Sequence, residues 1–142
     1  MTGVVRGTET AAQVSRLPLE GEPDRQVVRR WIRGVCSARL DVHTLVDVLL
    51  VTTELVDNAY RHTSCPVDLR IACTDFGVLI EVSDGDKAHP AEMANANRTW
   101  GSRGVQVMVE LAISWGVRVD GTGKTVWALL PMVEPKVTPR SG

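Results

Sequence analysis

The sequence predicts an α/β fold: a two-layer sandwich in which a mostly antiparallel mixed sheet is covered on one face by helices. Three observations carry this expectation. Apolar residues recur at helical spacing over three stretches, and they alternate with polar residues over five shorter ones. The later strand-like stretches also fall in adjacent pairs joined by short turns, which favours antiparallel hairpins. With the order strand, helix, helix, strand, strand, long loop, helix, strand, strand, the helices are left to cover one face.

Residues 1–11 are polar and read as a loose leader to a single domain over 12–131. The domain opens on "AQVSRLPLEG", whose Val14, Leu17 and Leu19 suit a strand that Pro18 confines to an edge. In "EPDRQVVRRWIRGVCSARL", Val27, Val28, Trp31, Ile32 and Val35 recur at helical spacing, with Pro23 suited to a first turn. Asp41 is the expected N-cap of a second helix running from Val42 to about His62. Its buried stripe is read as Leu45, Val46, Leu49, Leu50, Val56 and Ala59.

From there the period changes to two. "VDLRIAC" and "VLIEVSD" flank the turn "TDFG" and form a hairpin. A polar loop, "GDKAHPAEMANANRTWGS", is too long for a passive connection. "RGVQVMVELAISW" returns to helical spacing through Val105, Met108, Val109 and Ala112. "GVRVDGTGKTVWALLP" is a second hairpin turning at Asp120–Gly123, and 132–142 reads as a flexible tail. Of the four tryptophans, Trp31 and Trp127 are the expected core members.

Composition narrows the functional class. The 142 residues are 44% hydrophobic and 23% charged, in the ordinary range of a globular domain. A net charge of -1 gives no reason to expect direct nucleic-acid binding. No apolar run approaches the ~20 residues of a membrane span, and the start lacks a secretion signal. Cys36, Cys65 and Cys73 are odd in number and show no CxxC spacing, so they read as small core or surface residues and not as a disulfide or metal framework. They point to a reducing, cytoplasmic setting.

Three stretches carry candidate chemistry, and a fourth only resembles a phosphate-binding motif. In "ELVDNAYRH", Glu54, Asn58 and His62 follow one another at i, i+4, which stacks them on one helical stripe. Such a stripe is either a solvated face or the wall of a site, where a carboxylate polarises a hydroxyl and an Asn oxygen ligates a hard cation. In "VSDGD", Asp84 ends a strand and can accept from an exocyclic amine, while Gly85 allows close approach of a ligand; an ordinary turn is the alternative. In "TWGSRGVQVM", Gly101 and Gly104 flank a helix start whose free amides suit phosphate, with Arg98 and Arg103 adding donors. "GTGKT" at 121–125 is not a P-loop, because Arg118 stands where the first glycine belongs and a strand follows in place of a helix.

In this order, the E-x-x-x-N helix, the strand ending in Asp-Gly, the glycine-flanked helix start and the final "GKTVW" strand resemble the GHKL ATP-binding fold. "ELVDNAYRH" with "GKTVWALLP" is most similar to the small anti-sigma-factor serine/threonine kinases, and the resemblance runs from about Leu17 to Pro131. It implies a histidine-kinase-type ATPase domain, with Glu54 as general base and Asn58 as the Mg²⁺ ligand. His62 would continue the nucleotide-facing stripe. Asp84 would read adenine, Gly85, Gly101, Arg103 and Gly104 would border the nucleotide, and Thr125 would lie near the base.

The implied cofactors are ATP and Mg²⁺. The implied partners are a sigma factor and a STAS-type anti-anti-sigma protein phosphorylated on serine or threonine, with a homodimer as the assembly. The chain departs from the usual D-x-G-x-G box, since Asp86 and Ala88 stand at its glycine positions. That departure motivates an alternative: a non-catalytic partner-binding module with a degenerate nucleotide site. Its docking face would be the stripe Arg25, Arg29 and Arg33, which reads equally well as a solvated helix surface.

Overall fold

The computed structural model describes residues 13–62, 66–85, 102–121 and 123–133, with backbone alone at 62 and 102–105. Along them run β1 (Gln13–Pro18), α1 (Arg25–Cys36), α2 (Val42–His62), β2 (Pro66–Thr74), β3 (Gly77–Asp84), α3 (Ser102–Leu111), β4 (Ser114–Asp120) and β5 (Gly123–Leu130). The strands form one sheet in the order β1-β2-β3-β5-β4, so β3 is central. Every pairing is antiparallel, where a mixed sheet was expected. The reason lies in the order. β3 and β4 run in the same direction, but β5 inserts between them and supplies each with an antiparallel neighbour.

Capping residues set the helix starts. Asp24 caps α1, its carboxylate accepting from the Gln26 amide at 3.0 Å, so Pro23 precedes the cap instead of occupying the first turn. Asp41 caps α2 by accepting from the Thr44 amide at 2.8 Å. Its own amide donates to the Val133 carbonyl at 2.8 Å, and Met132 packs on the core, so contacts to the domain continue past Pro131. α3 ends earlier than its apolar spacing suggested. Trp115 sits on β4 and packs against the core from there.

The core lies between one face of the sheet and the helices. Leu69, Ile71, Val78, Ile80, Val82, Val126, Ala128 and Leu130 meet Val28 and Ile32 of α1, Val48, Val51 and Leu55 of α2, and Met108 of α3. This is compatible with a two-layer α/β sandwich. The stripe of α2 is rotated only in part: Leu45, Leu49, Val56 and Ala59 pack on the core as expected, and Val46 and Leu50 do not. Val46 and Leu50 are 50% and 49% exposed, while Val48, Val51 and Leu55 are buried. Val109 of α3 is exposed as well. The opposite sheet face is mixed: Ala72, Leu79, Leu129 and Trp127 lie on it beside charged and polar pairs, with Arg118 on Glu81 at 2.8 Å and Arg70 on Ser83 at 2.9 Å. Trp127 shares that face by alternation with Val126 and Ala128, so it is Trp31 and Trp115 that join the core. Among the described residues no helix is long and apolar enough to cross a membrane.

Candidate functional site

The rotation of α2 fixes what the stripe at 54, 58 and 62 does. Asn58 falls on the buried face beside Leu55 and Ala59 and is 2% exposed. Glu54, one turn earlier, is half-buried. The His62 side chain lies outside the described residues. The Nδ2 of Asn58 is buried and has no hydrogen-bond partner among the described residues. A buried donor left so costs about 1–3 kcal/mol. A ligand oxygen in that position would supply the missing acceptor.

Glu54 and Asn58 line a cleft of ≈ 430 Å³ between α1 and α2. The facing wall is Arg25, Arg29 and Arg33, which helical spacing projects from one side of α1. Arg61 completes the basic lining, and Val46, Leu49 and Leu50 make an apolar section. A second cleft of ≈ 480 Å³ adjoins it, sharing Arg25, Thr53, Asp57 and Arg61 and reaching Tyr60 and Glu22. The Tyr60 hydroxyl donates to the Leu19 carbonyl at 2.7 Å, tying the end of α2 to the strand–helix connection. Arg25 Nη2 donates to Asp57 Oδ2 at 2.6 Å. Even so, four arginines outnumber Glu54 and Asp57 in the first cleft, so its field favours an anion.

Mg²⁺ prefers oxygen ligands in octahedral geometry and commonly retains phosphates and waters in its shell. The Asn58 Oδ1 and the Glu54 carboxylate are oxygens of the right kind. The surrounding arginines suit a cation that arrives with phosphate. The donor set fits a metal-bound polyphosphate better than a bare metal site. Among the described residues no group of three or more His, Cys, Asp or Glu is placed to hold a metal.

The other candidate residues are arranged differently. Asp84 ends central β3 on the core-facing side, where its Oδ1 lies 3.3 Å from the Lys124 Nζ, both side chains buried. Gly85 follows it, exposed. Thr125 alternates with Lys124, so it points to the other sheet face and shares a 2.8 Å hydrogen bond with Ser83. The structure does not bring Thr125 to Asp84. Neither of the two clefts above is lined by Asp84, Gly85 or Thr125. Gly104 lies in the first turn of α3, while Gly101 and the Arg103 side chain fall outside the described residues.

Three relationships were not evident from the chain order. Lys124 is the partner of Asp84, Asp57 is the partner of Arg25, and the basic stripe of α1 faces the Glu54–Asn58 stripe across one cleft. The i, i+4 spacing of Arg25, Arg29 and Arg33 was the available signal for the last. The glycine of "GTGKT" also acquires a structural role. Gly123 has φ +150°, and a Cβ there would meet the Asp84 carbonyl oxygen at 2.0 Å. No protein-family model matches the chain, and the search of curated proteins found no match.

Proposed function

We propose that the chain is an ATP-binding regulatory protein of the anti-sigma-factor type, with serine/threonine kinase activity toward a STAS-type partner in the cytoplasm. The observation that carries this reading is the Glu54–Asn58 wall: a half-buried carboxylate one turn from a buried amide with no acceptor among the described residues, in a cleft with an arginine surplus. In this reading Asn58 holds Mg²⁺ through Oδ1, and the ion would offset phosphate charge during transfer. Glu54 accepts the proton of the attacking hydroxyl. The arginines draw the triphosphate toward the cleft. Asp84 reads the adenine amine only where the Lys124 ammonium leaves it an accepting lone pair.

Calorimetry with Mg-ATP, then phosphotransfer to a cognate STAS protein, tests the proposal. Binding that needs Mg²⁺ and is lost in Asn58→Ala supports it, and an absence of heat at millimolar nucleotide ends it. The second reading, a partner-binding module without turnover, is favoured by the ion pair between Asp84 and Lys124, which occupies the residue that would read the base. It predicts a partner complex whose affinity does not change on adding nucleotide.

A further inference from the structure

Val42, Val46 and Leu50 follow one another at i, i+4 along the first half of α2 and are 68%, 50% and 49% exposed. Single exposed aliphatics are ordinary, but three on one stripe make a continuous apolar strip. Val46 and Leu50, with Leu49, form the apolar section of the cleft whose other wall is α1. The two helices are joined by residues 37–41 and tied at the far end by Arg25 on Asp57, so they run antiparallel. That direction sets Arg33 toward the Val46 end and Arg25 at Asp57, with Arg29 between them. Arg29 and Arg33 are exposed and make no ion pair among the described residues. The acids that line the cleft, Glu54 and Asp57, lie toward Asn58, so the Val46 end is lined by apolar side chains and cations alone.

We propose that this end of the cleft is a docking groove for an amphipathic helix of a protein partner, one whose apolar stripe is flanked by acidic residues. A third helix laid along two antiparallel ones sets its apolar ridge into the groove between them. Carboxylates at the same i, i+4 spacing then meet Arg29 and Arg33, whose guanidinium forks each hold a carboxylate by two hydrogen bonds. From Val42 to Leu50 the strip is about 12 Å long, so a helix of about three turns covers it.

Charge singles out this occupant over the others at hand. Residues 134–142 carry Lys136 and Arg140 against Glu134 alone, so they bring the wrong sign to an arginine wall. Residues 1–12 balance Arg6 with Glu9, and 86–101 balance Asp86 and Glu92 with Lys87 and Arg98, which leaves no acidic surplus. A second copy packed through the same face would set its own arginines against these. Leu50 and Asn58 are about 12 Å apart along α2, so the docked helix lies beside the Glu54–Asn58 wall without covering it. Docking therefore goes beyond the nucleotide reading and does not depend on it.

The test titrates a fluorescein-labelled helical peptide of Leu, Glu and Ala, about 18 residues or five turns long, into the full chain without nucleotide. Its leucines form one stripe and its glutamates flank them. Anisotropy gives the affinity, and amide chemical shifts locate the contact. The expected result is saturable binding at micromolar peptide that weakens as salt is added, with shifts on α1 and the first half of α2. Arg29→Glu and Leu50→Ala should each weaken binding at least about fivefold. Arg30→Glu makes the same charge change at a residue that does not line the cleft, and should stay within about twofold of wild type. All three changes are at exposed positions, so the variants fold. No saturation at millimolar peptide overturns the proposal, as do equal losses in Arg29→Glu and Arg30→Glu, or tighter binding of the same helix with Lys in place of Glu. Tighter binding of a polyuridine oligonucleotide that Arg29→Glu abolishes would make the occupant a nucleic acid, and a dimer that Leu50→Ala dissociates would make it a second copy; either result overturns it too. Because no nucleotide is present, a failure of the chain to bind Mg-ATP leaves each of these outcomes readable.

Discussion

Lys124 Nζ lies 3.3 Å from Asp84 Oδ1, and this pair joins the first residue beyond Gly123 to the last residue of the central strand. Both side chains are within the core-facing layer, 9% and 3% exposed. Removing the cation from so buried a carboxylate should be costly. Lys124→Met is expected to lower stability by on the order of 3 kcal/mol, because the desolvated charge of Asp84 loses its partner. Urea denaturation measures it. The double variant Lys124→Met with Asp84→Asn should recover part of the loss, and strictly additive losses would show that the two side chains do not interact.

Gly123 supports the same corner. Its φ of +150° and the 2.0 Å approach of a built Cβ to the Asp84 carbonyl leave no room for a side chain, and the obstacle is backbone. Gly123→Ala is expected to cost at least about 3 kcal/mol, combining backbone strain with separation of β3 from β5. Gly121→Ala, with nothing within 4 Å of its Cβ, is the control and should lie within about 0.5 kcal/mol of wild type. Equal melting temperatures for the two variants would remove the steric argument.

How far the fold could be read beforehand depended on how sharply each segment punctuates itself. Asp41 and the period-two run from Val67 to Cys73 gave α2 and β2 close to their observed bounds. The rotation of α2 was hidden because "VDVLLV" is apolar at nearly every position, so several helical faces score alike. Only packing against the sheet selects Val48, Val51 and Leu55 over Val46 and Leu50. The site followed the same rule. Glu54 and Asn58 are local neighbours and could be paired by spacing, whereas Asp84 with Lys124 and Arg25 with Asp57 are joined by strand register and helix packing. Thr125 was assigned by motif order, and the alternation of β5 directs it to the other face.

Two leucines on one helix give a direct check of that rotation. Leu55→Ala empties a site that is 2% exposed and should cost about 2–5 kcal/mol. Leu50→Ala, at a position 49% exposed, should change stability by less than about 1 kcal/mol. Chemical denaturation of both variants reads the difference. The reverse ranking would mean that α2 presents its other side to the sheet.

Asn58 offers the sharpest separation of stability from function. Its buried Nδ2 lacks an acceptor among the described residues, so the amide adds no stabilising hydrogen bond through that atom there. Asn58→Leu replaces the amide by an apolar group of similar volume beside Leu55 and Ala59. It should raise stability by about 1–2 kcal/mol, since no donor is then buried without an acceptor. The same change removes the oxygen proposed to hold Mg²⁺, so Mg-ATP binding should fall at least tenfold. Thermal denaturation and calorimetry on one preparation give both values. A stabilised variant that binds nucleotide as wild type does would leave the buried amide explained by packing alone and detach it from the cofactor. A destabilised variant would mean that the amide has an acceptor in the folded chain, and the orphaned donor could then no longer argue for a ligand in the cleft.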